Sequence, residues 1–200
     1  LGGVGSFNPS VFFGNYKNFR GCLQNVQFNS VDVFHAARQQ VDPLNVYGVE
    51  WECSAEFSAT SDQPISFLHN TSFASFPSLQ TRQDVRISFD MKTRADRALL
   101  LYNSGRSADS DLLAVEVVRG SLKLTVNKGN GFLEVISRRV VNDGLWHQVE
   151  VVVDRLNARL TVDGHRKENR LNFGDNIFLD LHGALFVGGV GVVARAFAIH

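Results

Sequence analysis

Apolar and polar residues alternate with a period of two in three stretches of the chain. Val85-Arg-Ile-Ser-Phe-Asp-Met91 is apolar at its odd positions, Leu122-Lys-Leu-Thr-Val126 at its even ones, and Val149-Glu-Val-Val-Val153 follows the rule in part. A strand sends successive side chains to opposite faces, so this period marks half-buried strands. Sixteen Phe, with many Val and Leu, strengthen that reading, because aromatic and β-branched side chains suit a pleated surface. Between the runs lie Asn-Ser-Gly at 103–105, Arg-Gly at 119–120, Lys-Gly-Asn-Gly at 128–131, Asn-Asp-Gly at 142–144 and Asp-Gly at 163–164. Gly, Asn and Asp accept the positive φ of tight hairpins. Turns that recur about every dozen residues mark an antiparallel sandwich or barrel. The one helical turn expected is short, around residues 33–40. The fold class is all-β.

Composition narrows the function. Twenty Lys+Arg balance twenty Asp+Glu, a formal net charge of zero. A nucleic-acid partner is therefore not expected, since phosphate neutralisation calls for a basic excess or face. With 44% hydrophobic and 20% charged residues, the chain can build a packed core. No apolar run approaches the ~18 residues of a membrane span, and no secretory leader pattern opens the chain. Leu1 is not an initiator Met, and the sequence reads as a piece of a longer protein whose anchor, if any, lies elsewhere. Cys22 and Cys53 permit one bridge, and neither has a CxxC partner or a His cluster that would suggest zinc.

An internal echo then appears: Leu-Gly-Gly-Val-Gly at 1–5 and Val-Gly-Gly-Val-Gly at 187–191, 186 residues apart. A repeat that long implies tandem units. Four ordered motifs turn the echo into a family resemblance. Phe19-Arg-Gly-Cys22 with Leu-Gln-Asn-Val-Gln-Phe-Asn29, Asn142-Asp-Gly-Leu-Trp-His147-Gln-Val, Leu160-Thr-Val-Asp-Gly164 and Leu185-Phe-Val-Gly-Gly189 together resemble laminin G-like domains. The resemblance implies an antiparallel, concanavalin-like jelly-roll sandwich and a Cys22–Cys53 disulfide. It also implies two truncated tandem domains: residues 1–53 as the C-terminal strands of a first, and 54–200 as a second that lacks its closing strands. After Gly191 the chain departs from the family pattern. Residues 1–53 could supply the strands that 54–200 lacks and so protect exposed edges, a natural permutation.

No GxSxG elbow, HExxH or Walker loop is present, and no catalytic residue is expected. His147, beside Trp146 in a strand, reads as a packing or turn-bonding histidine rather than a base. The Gly-Gly pairs at 2–3 and 188–189 lack the strand–loop–helix setting of phosphate loops and read as close-approach positions at strand ends. Asp109 and Asp111 precede a strand in a turn. The resemblance implies a rim calcium held by Asp111, or else Asp109, with a second ligand from the loops near 175–180 or after Gly191. The same aspartates also suit a solvated, capped turn. Arg138, Arg139, Arg155, Arg159, Arg166, Lys167 and Arg170 concentrate positive charge. On one face, Arg138, Arg139, Arg166, Lys167 and Arg170 would bind sulfated glycosaminoglycan, although interleaved acidic residues favour a mixed solvated surface. Asn70-Thr-Ser72 is an N-glycosylation sequon, whereas Asn8 is disqualified by Pro9. The expected function is a non-catalytic extracellular recognition module of a cell-surface proteoglycan or receptor. Its expected partners are matrix or cell-surface proteins, and it would meet a membrane only through the rest of its parent chain. The competing class is a structural spacer without a ligand.

Overall fold

The computed structural model describes residues 19–29, 31–38, 45–47, 49–51, 64–79, 83–105, 111–170 and 176–189. Their strands form two antiparallel sheets, numbered in chain order. The first sheet runs, neighbour to neighbour, His165–Arg170 (β14), Asn157–Val162 (β13), His147–Val153 (β12), Val85–Thr93 (β7), Gly21–Phe28 (β1), Ile65–Phe67 (β5) and Val49–Glu50 (β4). A two-residue strand, Val31–Asp32 (β2), pairs back onto β1. The second sheet runs Phe132–Val140 (β11), Ser121–Asn127 (β10), Leu112–Val118 (β9), Arg97–Ser104 (β8), Leu185–Val187 (β15), Phe73–Phe76 (β6) and Asn45–Tyr47 (β3).

The period-two runs bury the faces they predict. Val85, Ile87, Phe89 and Met91 of β7 enter the core, as do Leu122, Leu124 and Val126 of β10 and Val149, Val151 and Val153 of β12. Each such side chain contributes roughly 1.5–3 kcal/mol relative to exposure. The expected helical turn is the helix Val33–Arg38 (α1), started by Asp32, whose Oδ1 accepts the His35 N–H at 2.8 Å. Phe34 is the buried anchor of α1. Residues 39–40 of that expectation lie outside the described residues.

Strands from before residue 53 sit within the same sheets as the later ones. β1 lies between β7 and β5, β4 pairs with β5 and β3 pairs with β6. Phe19 stacks edge-to-face on Phe67 with ring centroids 5.5 Å apart. Gly21 is needed at the start of β1, because a Cβ there would collide with the Lys92 carbonyl of the adjacent strand. The expected boundary at 53, Cys53 itself, and the segment after Gly189 lie outside the described residues. Among the described residues, no helix is long and apolar enough to cross a membrane.

Antiparallel pairing collects the turns at two ends of the sandwich. At one end, Gly120 N–H donates to Asp96 O, Val141 N–H to Gly120 O and Gly144 N–H to Thr93 O. At the other, Gly105 N–H donates to Asp111 O and Gly183 N–H to Ser104 O.

Candidate functional site

Asp111 is half-buried and immediately precedes β9. Its Oδ2 accepts the backbone N–H of Asp180 at 2.5 Å, so the range expected to supply a second ligand reaches the aspartate through residue 180. Burial raises the Asp111 pKa above the usual carboxylate range. The Asp180 amide opposes that effect, the Asp180 carboxylate reinforces it, and Lys128 and His182 oppose it. Two carboxylates thus converge on one rim. Gly129, at φ +87°, keeps space beside them: a Cβ there would lie 3.5 Å from Asp111 Oδ1 and 3.1 Å from Asn176 Nδ2. Asn176 Nδ2 donates to the Lys128 carbonyl. Carboxylate and carbonyl oxygens beside an open position are a hard-cation donor set, and they fit calcium. Among the described residues no three His, Cys, Asp or Glu cluster as metal ligands, and Asp109 lies outside them.

Beneath this rim lies a residue that composition alone would place on the surface. Lys128 is fully buried, and its Nζ donates to the carbonyls of Asp154 at 3.1 Å and Ile177 at 3.2 Å. It ties the β12–β13 turn and the segment before β15 to the end of β10. Burial depresses its pKa, against the pull of Asp154, Asp111 and Asp84. No local pattern announces such a lysine, since Lys is almost never fully buried without partners.

His147 is also buried and is held from both sides. Nδ1 lies 2.8 Å from Asp163 Oδ2 and Nε2 lies 3.0 Å from Asp143 Oδ1. Burial disfavours the charged ring, but the carboxylates of Asp163 and Asp143 outweigh it and raise the pKa. Both acids sit in turns, 143–145 and 163–164, so the histidine staples two hairpins at the end away from Asp111.

The structure divides the basic residues read from the sequence. Arg138 and Arg139 are exposed on β11 at the edge of the second sheet, whereas Arg166, Lys167 and Arg170 belong to β14 of the first. Arg166 pairs with Glu168. Arg159 reaches Asp154 at 2.5 Å and Glu168 at 3.9 Å. Arg155 is exposed in the β12–β13 turn. Asn70 is exposed in the turn between β5 and β6, where Ser72 Oγ accepts the His69 N–H at 2.9 Å. Cys22 is buried, its Sγ 3.2 Å from Ser66 Oγ.

Comparison with known proteins agrees with this architecture. Neurexin-3a of Danio rerio is 32% identical over 191 residues, covering 87% of this chain and 11% of its own length. Chondroitin sulfate proteoglycan 4 of Homo sapiens is 28% identical over 194 residues, covering 97% of this chain and 8% of its own. The chain thus spans about a tenth of the length of these relatives. Among solved structures, the mouse laminin alpha1 chain, domains LG4-5, superposes with a TM-score of 0.55 at 24% identity, over 59% of this chain and 32% of that one. The LG1-3 region of the laminin alpha2 chain gives 0.52 at 24% identity, over 60% and 24%. These two show the jelly-roll fold. The Laminin G domain profile matches residues 91–198, more than half of the sequence, and the chain belongs to the laminin G domain family.

Proposed function

We propose that this chain is a non-catalytic extracellular recognition module, binding matrix or cell-surface proteins through the loops of the Asp111 rim with calcium as its cofactor. The observation that carries the reading is the convergence of Asp111 and Asp180 beside the open position kept by Gly129. Asp111, Asp180 and the Lys128 carbonyl would hold the ion, with Asp109 as a further carboxylate. Bound there, calcium would neutralise the two acids and leave coordination positions for an oxygen of the partner. A rigid sandwich with ligand-facing loops is the usual division between scaffold and function. A surface location accords with the exposed Asn70 as an N-glycan acceptor and with a Cys22–Cys53 bridge formed in an oxidising compartment.

Thermal unfolding with calcium and then with chelator tests the proposal. An ion at 100 times its dissociation constant stabilises by about 2.7 kcal/mol, which for a chain of this size raises the midpoint by roughly 5–10 °C. Asp111→Asn should remove the shift while leaving a cooperative transition. A cooperative transition that ignores calcium would retire the metal and favour a structural spacer.

A further inference from the structure

Ion pairing is unevenly distributed over this molecule. On the sheets, basic side chains meet acids: Arg86 pairs with Glu150 at 2.6 Å, Lys123 with Glu116 at 2.9 Å and Glu134 at 3.0 Å, and Arg159 and Arg166 with the acids named above. At the end opposite Asp111, five exposed arginines have no carboxylate within ion-pair distance among the described residues: Arg94, Arg97, Arg119, Arg138 and Arg139. The nearby acids are otherwise engaged. Asp96 accepts from Asn142 Nδ2 at 2.6 Å, while Asp143 and Asp163 hold His147. Elsewhere such arginines stand apart from one another: Arg155 lies at the other end, and Arg38 packs over the Trp51 ring and donates to the Trp51 carbonyl.

Two local distortions present these arginines to solvent. Arg119 sits at φ 53° in the β9–β10 turn, a left-handed conformation that a long side chain seldom adopts and Gly or Asn would take more easily. In β11 the register with β10 shifts between Ser121 and Lys123. Ser137 Oγ closes that bulge by accepting the Leu122 N–H at 3.0 Å and donating to the Arg139 carbonyl at 2.7 Å. Ser137 is consequently buried, whereas Arg138 and Arg139 are both exposed instead of alternating between faces. A bulge that re-aims side chains and an arginine held at positive φ mark function more than stability. Arg97, Arg119 and Arg138 belong to successive places along β8, β9, β10 and β11, which at about 4.8 Å per strand makes a row roughly 15 Å long.

We infer that this end of the sandwich is a docking site for a linear polyanion, a sulfated polysaccharide chain laid along Arg97, Arg119, Arg138 and Arg139 with Arg94 beside it. Guanidinium forks pair with oxyanions through two parallel N–H donors, and arginine holds weakly hydrated oxyanions better than lysine. A row is the shape that a linear chain of charges fits. The site needs no metal and lies at the opposite end from the calcium rim, so neither reading depends on the other.

The test is titration of a fluorescent heparin-derived oligosaccharide in chelator, with the quadruple change Arg97→Gln, Arg119→Gln, Arg138→Gln and Arg139→Gln set beside Arg159→Gln with Arg166→Gln. Sulfate-dependent binding is expected, weakened by roughly tenfold to a hundredfold in the quadruple variant near 0.1 M salt and unchanged in the paired-arginine control. The slope of log affinity against log salt should fall by about one for each arginine removed, as for any polyelectrolyte that releases counter-ions. Thermal melts confirm that each variant is folded. Absence of binding at low salt, equal binding by the quadruple variant, or equal binding of a desulfated chain would overturn the assignment. Val140 and Leu145, 54% and 63% exposed, share this end. Capture of phosphatidylserine vesicles in place of the oligosaccharide would assign the arginines to a lipid surface and overturn it too.

Discussion

The two ends of the sandwich are built from the same antiparallel hairpins, yet they treat charge in opposite ways. At the Asp111 end, a buried lysine is tied to two backbone carbonyls and two carboxylates share one rim. At the Arg119 end, the acids are drawn inward onto His147 and Asn142 while five arginines face solvent without acidic partners. A chain of zero net charge is therefore polarised along its length. The lesson is that net charge constrains solubility and partner class only on average; the field that a ligand meets depends on which turns share an end.

The sharpest way to break this contrast is at Lys128. Lys128→Ala should unpair the Asp154 and Ile177 carbonyls and leave a void under the rim. A cost of about 3 kcal/mol is expected, or a midpoint lowered by roughly 6–12 °C in calorimetry. A midpoint within 2 °C of the parent (about half a kcal/mol) would show that the lysine is not a structural tie.

His147 gives a smaller effect with a defined pH signature. Its pKa is raised in the folded state, because Asp163 and Asp143 outweigh the burial that opposes its charge. Its contribution is therefore full below the unfolded value of about 6.5 and fades as pH climbs through the higher folded value. His147→Gln should cost about 1–2 kcal/mol at pH 5.5, with the penalty shrinking by pH 9, read from denaturant midpoints. A penalty that grows with pH would reverse the assignment of His147 as a charged staple.

The smallest expected change is the one that sharpens the functional reading of the basic end. Arg119→Asn replaces a strained arginine by a residue that accepts φ 53° more readily. A gain of about 0.5–1 kcal/mol, or roughly 1–4 °C, is expected. A decrease in stability would mean that Arg119 serves the fold rather than a ligand.

Much of the sandwich was legible from neighbouring residues. The alternation at 85–91 and 122–126 determined which side chains of β7 and β10 enter the core, and Arg-Gly, Asn-Asp-Gly and Asp-Gly marked turns that the structure contains. Asp111 was legible from its place before a strand, and its partner only as a range, because Asp180 meets it from a segment 69 residues later. Lys128 was not legible at all, since the carbonyls that receive it belong to residues 154 and 177. The basic residues between 138 and 170 read as one cluster in sequence, but β11 and β14 carry them in different sheets. The arginines at 94, 97 and 119 are scattered among other charges in the sequence, and only the meeting of their turns makes them a group.

The sequence by itself determined that this chain is all-β, where its main strands and turns fall, and that its motifs are those of laminin G domains. These properties rest on backbone preferences and side-chain periodicity within a few residues. Only the tertiary structure decided that β1 fits between β7 and β5, that Asp180 closes on Asp111, that His147 draws in two acids, and that five unpaired arginines share one end. Strand order and register set those outcomes, because they bring together residues tens of positions apart whose attraction or repulsion no local pattern encodes.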